Sequence, residues 1–282
     1  MAQLQIGVCT WSLHIPDLGQ TLATIKDQLG LGVIHLGFFD DGYKEPNKII
    51  DLVKASGLKV SATCLGFAGE DYTTIQDIAR TGGYLPDDVF EARYEKTVAV
   101  ADITPKLGTD ILTVHIGFVP EDHKDPKYAV MVDRARRIAD ALGERGVKLV
   151  METGQESPEN LIAFMDAVGR PNVAVNFDPA NMILYGVGEP VEAVSLLRDR
   201  IAHVHMKDAT WSAKPREQWG EEVVLGTGEA DIPRIVSKLR AQGYTGTLAI
   251  EREAGNQRVA DIAEAIKLLK CCWDEWKARP ET

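Results

Sequence analysis

The chain has 282 residues, 45% of them hydrophobic, with 31 basic against 42 acidic side chains and a net charge of −11; it is long enough to bury a sizeable core. The acidic total repels nucleic acid phosphates and disfavours DNA or RNA as a partner, and no run of about 18 apolar residues exists to span a membrane. The start, MAQLQIGVCTW, lacks the basic and long apolar regions of a signal peptide, and Cys9, Cys64, Cys271 and Cys272 form no CxxC pair, so reduced thiols in a cytoplasmic protein are expected.

Apolar, β-rich runs alternate with helix-period segments from end to end. Strands are predicted over residues 6–11, 33–38, 59–67, 111–118, 148–153, 173–178, 201–207 and 247–251. Helices follow at 18–29, 46–56, 90–107, 127–145, 158–168, 191–197, 232–242 and 259–277. Ser157-Pro158 with Glu159, and Asp231 shortly before Pro233, are helix-start signals. Gly30, Gly57, Gly146 and Gly243 fall where helices should end.

The strands are apolar on both faces, as parallel strands covered by helices are. About eight β-then-α units without a linker predict an α/β fold, a single-domain (β/α)₈ TIM barrel over residues 1–282. A doubly wound open sheet is the structural alternative, but no GxGxxG follows the first strand. Two long connections, 66–89 and 209–230, would lie on the C-terminal face of a barrel, over a site. The second carries Trp211, Trp219 and the turn Gly226-Thr227-Gly228.

Strands five to eight end in Glu152, Asp178, His203 with His205, and Glu251. Residues two apart on a strand share a face. The sets Asn176/Asp178, His203/His205/Lys207 and Glu251/Glu253 are therefore co-facial. Inward-facing, they would gather three carboxylates and at least one imidazole at one mouth. Such a group repels itself unless a cation compensates. An oxygen-rich set with one nitrogen suits Mn²⁺, Mg²⁺ or Co²⁺. One histidine suffices as a ligand, leaving the other a supporting role. No cysteine is expected near these motifs; Glu253 is read as a solvated rim residue and Asp208 as a loop cap.

At VMETG, VNFDPANM, HVHMKD and AIERE the chain resembles the xylose isomerase-like TIM barrels, the sugar phosphate isomerase/epimerase superfamily, over almost its whole length. The resemblance implies one divalent ion, Mn²⁺ foremost with Mg²⁺, Co²⁺ or Zn²⁺ as alternatives, on Glu152, Asp178, His205 and Glu251. It implies Asn181, Lys207 and His115 at the substrate, with His203 beside them. Trp11, Phe38, Trp211 and Trp219 are candidates for an apolar wall, Trp11 and Phe38 equally for core packing.

The chain departs from the ketose 3-epimerases of that group. Their Glu shortly after the strand-five ligand falls at Pro158, their substrate-binding Arg at Trp211, and a family His at Asn181. The endonuclease branch needs many more histidines than the six present.

The implied activity is a metal-dependent sugar isomerase or epimerase. It removes a proton next to a carbonyl through a metal-stabilised ene-diolate, with Glu152 and Glu251 as the acid/base pair. Loss of a β-hydroxyl from the same intermediate, as in the inosose dehydratases, is the alternative, and a non-catalytic metal-stabilised sugar-binding barrel is a third reading. No GxxxxGK[ST] motif demands a substrate phosphate. A small carbohydrate is the expected partner, and a homo-oligomer is expected from resemblance. The tail from Cys271 to Trp276 is read as a helix packing on the barrel, with an interface as the alternative.

Overall fold

The computed structural model describes residues 4–277. Eight strands close into a parallel barrel: β1 (Gln5–Cys9), β2 (Val33–Phe38), β3 (Lys59–Leu65), β4 (Ile111–Val114), β5 (Lys148–Glu152), β6 (Val173–Phe177), β7 (Ile201–Met206) and β10 (Thr247–Ile250). Neighbours in the chain are neighbours in the barrel, and β10 closes on β1 in the register Gln5–Thr247 to Val8–Ile250. The helices between them pack outside: α1 (Leu18–Ala23), α2 (Pro46–Ser56), α3 (Ile75–Thr81), α4 (Phe90–Ile103), α5 (Pro126–Gly143), α6 (Pro158–Val168), α7 (Pro179–Tyr185), α8 (Pro190–Leu197), α9 (Ile232–Ala241) and α10 (Arg258–Lys277). Both sheet faces are buried, which is why the strands read as apolar runs without alternation.

Helix ends follow local chemistry. The Ser157 hydroxyl accepts from the Asn160 amide and the Asp231 carboxylate from that of Arg234, each capping a helix with Pro in its first turn. Gly57 ends α2 at φ 74°, a conformation glycine adopts without strain.

The structure departs from the predicted elements in several places. The helix expected over 18–29 turns into a π-helical stretch, Thr24–Gln28, after α1. β3 and β4 stop at Leu65 and Val114, short of the predicted 67 and 118. Beyond β4 the chain meets the preceding loop backbone to backbone. The Tyr84 amide donates to the Ile116 carbonyl at 2.8 Å. A side chain at Gly83 would come within 2.2 Å of the Ile116 carbonyl. The 66–89 connection holds α3, and the 209–230 connection is pinned by a hairpin of β8 (Asp208–Thr210) and β9 (Glu221–Val223).

Cys272 and Trp273 are buried in the core, and the Arg240 guanidinium lies 4.2 Å over the Trp273 ring, so this part of the tail packs on the chain's own barrel. The Trp276 side chain lies outside the described residues. Among the described residues no helix is long and apolar enough to cross a membrane.

Candidate metal centre

Glu152 ends β5, Asp178 follows β6, His205 lies on β7 and Glu251 follows β10. Their four ligand atoms lie within 4.8 Å of one another, and all four residues are buried. His205 Nδ1 stands 3.1 Å from Glu152 Oε1, 3.4 Å from Glu251 Oε2 and 3.6 Å from Asp178 Oδ2.

Each carboxylate is held by a different device. Asn181 Nδ2 donates to Glu152 Oε1 at 2.8 Å, and His115 Nε2 lies 3.7 Å from the same oxygen. The Trp11 indole N–H donates to Glu251 Oε1 and the Lys207 ammonium to Glu251 Oε2, both at 2.8 Å. Lys207 also donates to Glu253 at 2.6 Å, so Glu253, half-exposed at the rim, is tied to the site rather than merely solvated. Asp178 Oδ1 caps α7 by accepting from the amides of Ala180 and Asn181 at 2.8 and 3.0 Å. Asp178 Oδ2 is buried without a hydrogen-bond partner.

Burial opposes charge on every member of this group, and the members answer differently. Burial pushes the Asp178 carboxyl up to about 7. Against burial, Lys207 and His205 hold Glu251 well below the usual carboxylate range. His115 and His205 likewise lower Glu152 against burial. His205 itself is raised well above the ordinary histidine value, against burial, chiefly by Glu251.

A buried, unpaired carboxylate oxygen facing an imidazole nitrogen and two further carboxylates is the donor set a hard divalent cation accepts. The residues therefore fit a divalent ion, with three oxygen donors and one nitrogen donor.

Not every expected contact sits where the sequence pattern put it. His203 does not reach the cavity. It is buried beneath the cluster, bonded to Asn176 Oδ1 at 3.0 Å and the Ser61 hydroxyl at 3.1 Å, and burial pushes it down to about 3. Phe38 is core. Trp211 packs against the core from the strand-seven loop and does not line the cavity.

The expectation that no cysteine lies near the motifs is wrong. Cys9, His35 and His205 form a second buried close group, with Cys9 Sγ 3.8 Å from His35 Nδ1. Burial pushes this thiol up to about 12. Neither Cys9 nor His35 was visible as a site residue. Their one signal is a histidine interrupting the apolar run VIHLGF.

Above the cluster opens a cavity of about 650 Å³. Its floor carries Glu152, Asn181, Lys207, Glu251 and His115, and its wall Trp11, Phe39, Phe67, Tyr72, Tyr185 and Trp219. Phe39 folds over two glycines: a side chain on Gly37 or Gly66 would come within 2.5 or 2.3 Å of its ring. The ring meets Trp11 edge-on at 5.0 Å.

The profile of the xylose isomerase-like TIM barrel family matches residues 27–272. A crystal structure of a xylose isomerase domain protein from Planctomyces limnophilus is 31% identical, covers 98% of this chain and 99% of that one, and superimposes with a TM-score of 0.89. The structure of an L-ribulose 3-epimerase shares the fold at 18% identity, over 98% of this chain and 96% of that one, with a TM-score of 0.71. An inosose dehydratase from Geobacillus kaustophilus is 31% identical over 144 residues, which is 46% of each chain, so this match spans about half the length of that relative. The profile match over most of the chain, on a closed eightfold barrel, makes this protein a member of the xylose isomerase-like TIM barrel family.

Proposed function

We propose that the protein is a divalent-metal-dependent isomerase or epimerase of a small sugar or other polyhydroxy carbonyl compound. The observation that carries this reading is the convergence of Glu152, Asp178, His205 and Glu251 within 4.8 Å, with Glu152 and Glu251 opening onto a cavity with an aromatic wall. A divalent ion bound by these four residues would polarise a carbonyl and its neighbouring hydroxyl, which acidifies the carbon between them.

The chain's own residues do the rest. Glu152 and Glu251 approach from different strands; one removes the proton and keeps it, and the other delivers a proton of its own, drawn from solvent. Asn181 fixes the orientation of Glu152, and Trp11 with Lys207 that of Glu251. Lys207, Asn181 and His115 line the floor with donors for substrate hydroxyls. Trp11, Phe39 and Trp219 cover the sugar and keep water away from the transferred proton.

The similarity to an inosose dehydratase favours a second reading, a lyase that eliminates water after the same proton abstraction. Incubation of the Mn²⁺-loaded protein with ketoses, keto-inositols and 3-keto-sugars in D₂O, followed by NMR and mass spectrometry, tests both. Deuterium should enter at a carbon next to the carbonyl. A product of unchanged carbon skeleton and no water loss marks an isomerase, and a product lighter by one water marks the lyase. Glu152→Gln and Glu251→Gln should each slow exchange by about 10²-fold or more. Undiminished exchange in both variants, on a substrate the wild type turns over, would sink the two-base assignment.

A further inference from the structure

We propose that His35 is a positioning residue that fixes which nitrogen of His205 meets an ion: its hydrogen-free Nδ1 accepts the Nε2–H of His205, which leaves His205 Nδ1, aimed at Glu152, Asp178 and Glu251, as the nitrogen that gives up its proton to the metal. This rests on the reading of His205 as a metal ligand made above.

β2 and β7 are not neighbours in the sheet, so the His35–His205 contact crosses the barrel interior. His35 Nδ1 lies 2.9 Å from His205 Nε2, and both rings are fully buried. At that distance one nitrogen donates and the other accepts. The far side of His35 decides which. His35 Nε2 lies 3.0 Å from the Thr113 hydroxyl. That hydroxyl has one hydrogen, and the Thr63 carbonyl, 3.3 Å away and able only to accept, is the partner to which we assign it. Thr113 therefore accepts from His35, and the single N–H of a neutral His35 sits on Nε2. Its Nδ1 is left as an acceptor.

The Cys9 sulfur lies 3.8 Å from the same Nδ1, farther than His205 Nε2 at 2.9 Å, and as a weak donor it yields that single lone pair to the imidazole N–H. The direction is thus set at one end by a backbone carbonyl and passed through Thr113 and His35 to His205.

A metal-ligating histidine needs its outer N–H held so that the inner nitrogen carries the lone pair, and a carboxylate or carbonyl is the usual holder. Here an imidazole does it, deep in a barrel interior that branched aliphatic side chains ordinarily fill. Losing such a partner typically lowers metal affinity about 10–100-fold.

The test uses Mn²⁺ as probe, with affinity read by competition against a chelator. His35→Leu keeps bulk and removes the acceptor. His35→Asn keeps an acceptor oxygen near the Nδ1 position. His35→Leu should lose about 10–100-fold in Mn²⁺ affinity, and His35→Asn should stay within a few-fold of wild type. Long-range ¹H–¹⁵N NMR of the metal-free protein should place the His35 hydrogen on Nε2, a readout independent of any variant's folding. A hydrogen on His35 Nδ1, equal affinity in His35→Leu and wild type, or His35→Asn as weak as His35→Leu would overturn the inference while leaving the metal site standing. Failure of the wild type itself to bind Mn²⁺ would overturn both.

Discussion

Glu152 and Glu156 stand four residues apart and are equally buried, at 4% exposure each, yet they respond to burial in opposite ways. Glu152 faces the His115 and His205 rings, which lower its pKa against burial. Glu156 points away from the cluster, accepts the Val119 amide at 2.9 Å, and is pushed by burial from 4.5 up to about 8. Because the folded value lies above the unfolded one, the unfolded chain releases this proton first. Stability from this group is complete below the unfolded value and falls as pH rises toward 8, by up to about 1.4 kcal/mol per pH unit. Glu156→Gln keeps an acceptor for Val119 and removes the titration. Denaturant unfolding between pH 5 and 8 should therefore show the variant gaining on the wild type as pH rises, with the gap constant above 8. Parallel pH profiles would refute the assignment of a buried, protonated Glu156.

Beside its hairpin, the long connection between β7 and α9 is gathered by one side chain. Asp208 accepts four backbone N–H groups, those of Ala209 and Ala230 on Oδ1 and those of Gly226 and Gly228 on Oδ2, at 2.9–3.1 Å. Asp208→Ala strands those donors and should cost about 2–4 kcal/mol, with faster amide exchange at residues 226–230 and partial recovery in Asp208→Asn. Unaltered exchange in the alanine variant would show that the hairpin alone holds the loop. The cap was legible because an acidic residue ended an apolar run ahead of Gly226-Thr227-Gly228. The hairpin was not, since three-residue strands carry too little periodicity to read. α2 and α6 match their predicted ends to the residue, each opened by Pro and closed by Gly. α7 is absent from the predicted helices although Asp178-Pro179 is the same start signal: Asp178 has two roles, one oxygen capping the helix and the other facing the cluster.

Closure of the barrel explains what the sequence could and could not disclose about the site. Alternation within a strand says which residues share a face, and together with the strand ends it gathers Glu152, Asp178, Glu251 and the co-facial pair His203/His205 at one mouth; the choice of His205 over His203 comes from the family resemblance, and His205 is the one that the structure brings into the group. Which strands face each other across the interior depends on tilt and stagger, so the His35–His205 contact and the approach of Cys9 could not be read from spacing. The same closure gives the metal a mechanical role. Its four candidate ligands come from β5, β6, β7 and β10, half the staves of the barrel, so an ion bound there would tie non-adjacent parts of the chain together only in the folded state. Mn²⁺ at about a hundred times its dissociation constant should then add about 2.7 kcal/mol, a rise of roughly 4–5 °C in Tm for a chain of this size. Asp178→Asn retains an oxygen for the amides of Ala180 and Asn181 and so keeps α7 capped, while removing a charge that has no hydrogen-bond partner. Its metal-free Tm should match or exceed that of the wild type, and its Mn²⁺-induced shift should vanish. An unchanged shift in this variant would place the ion somewhere other than the floor of the cavity, whereas a collapse of the metal-free Tm would mean that the Asp178 charge serves the fold rather than the ion.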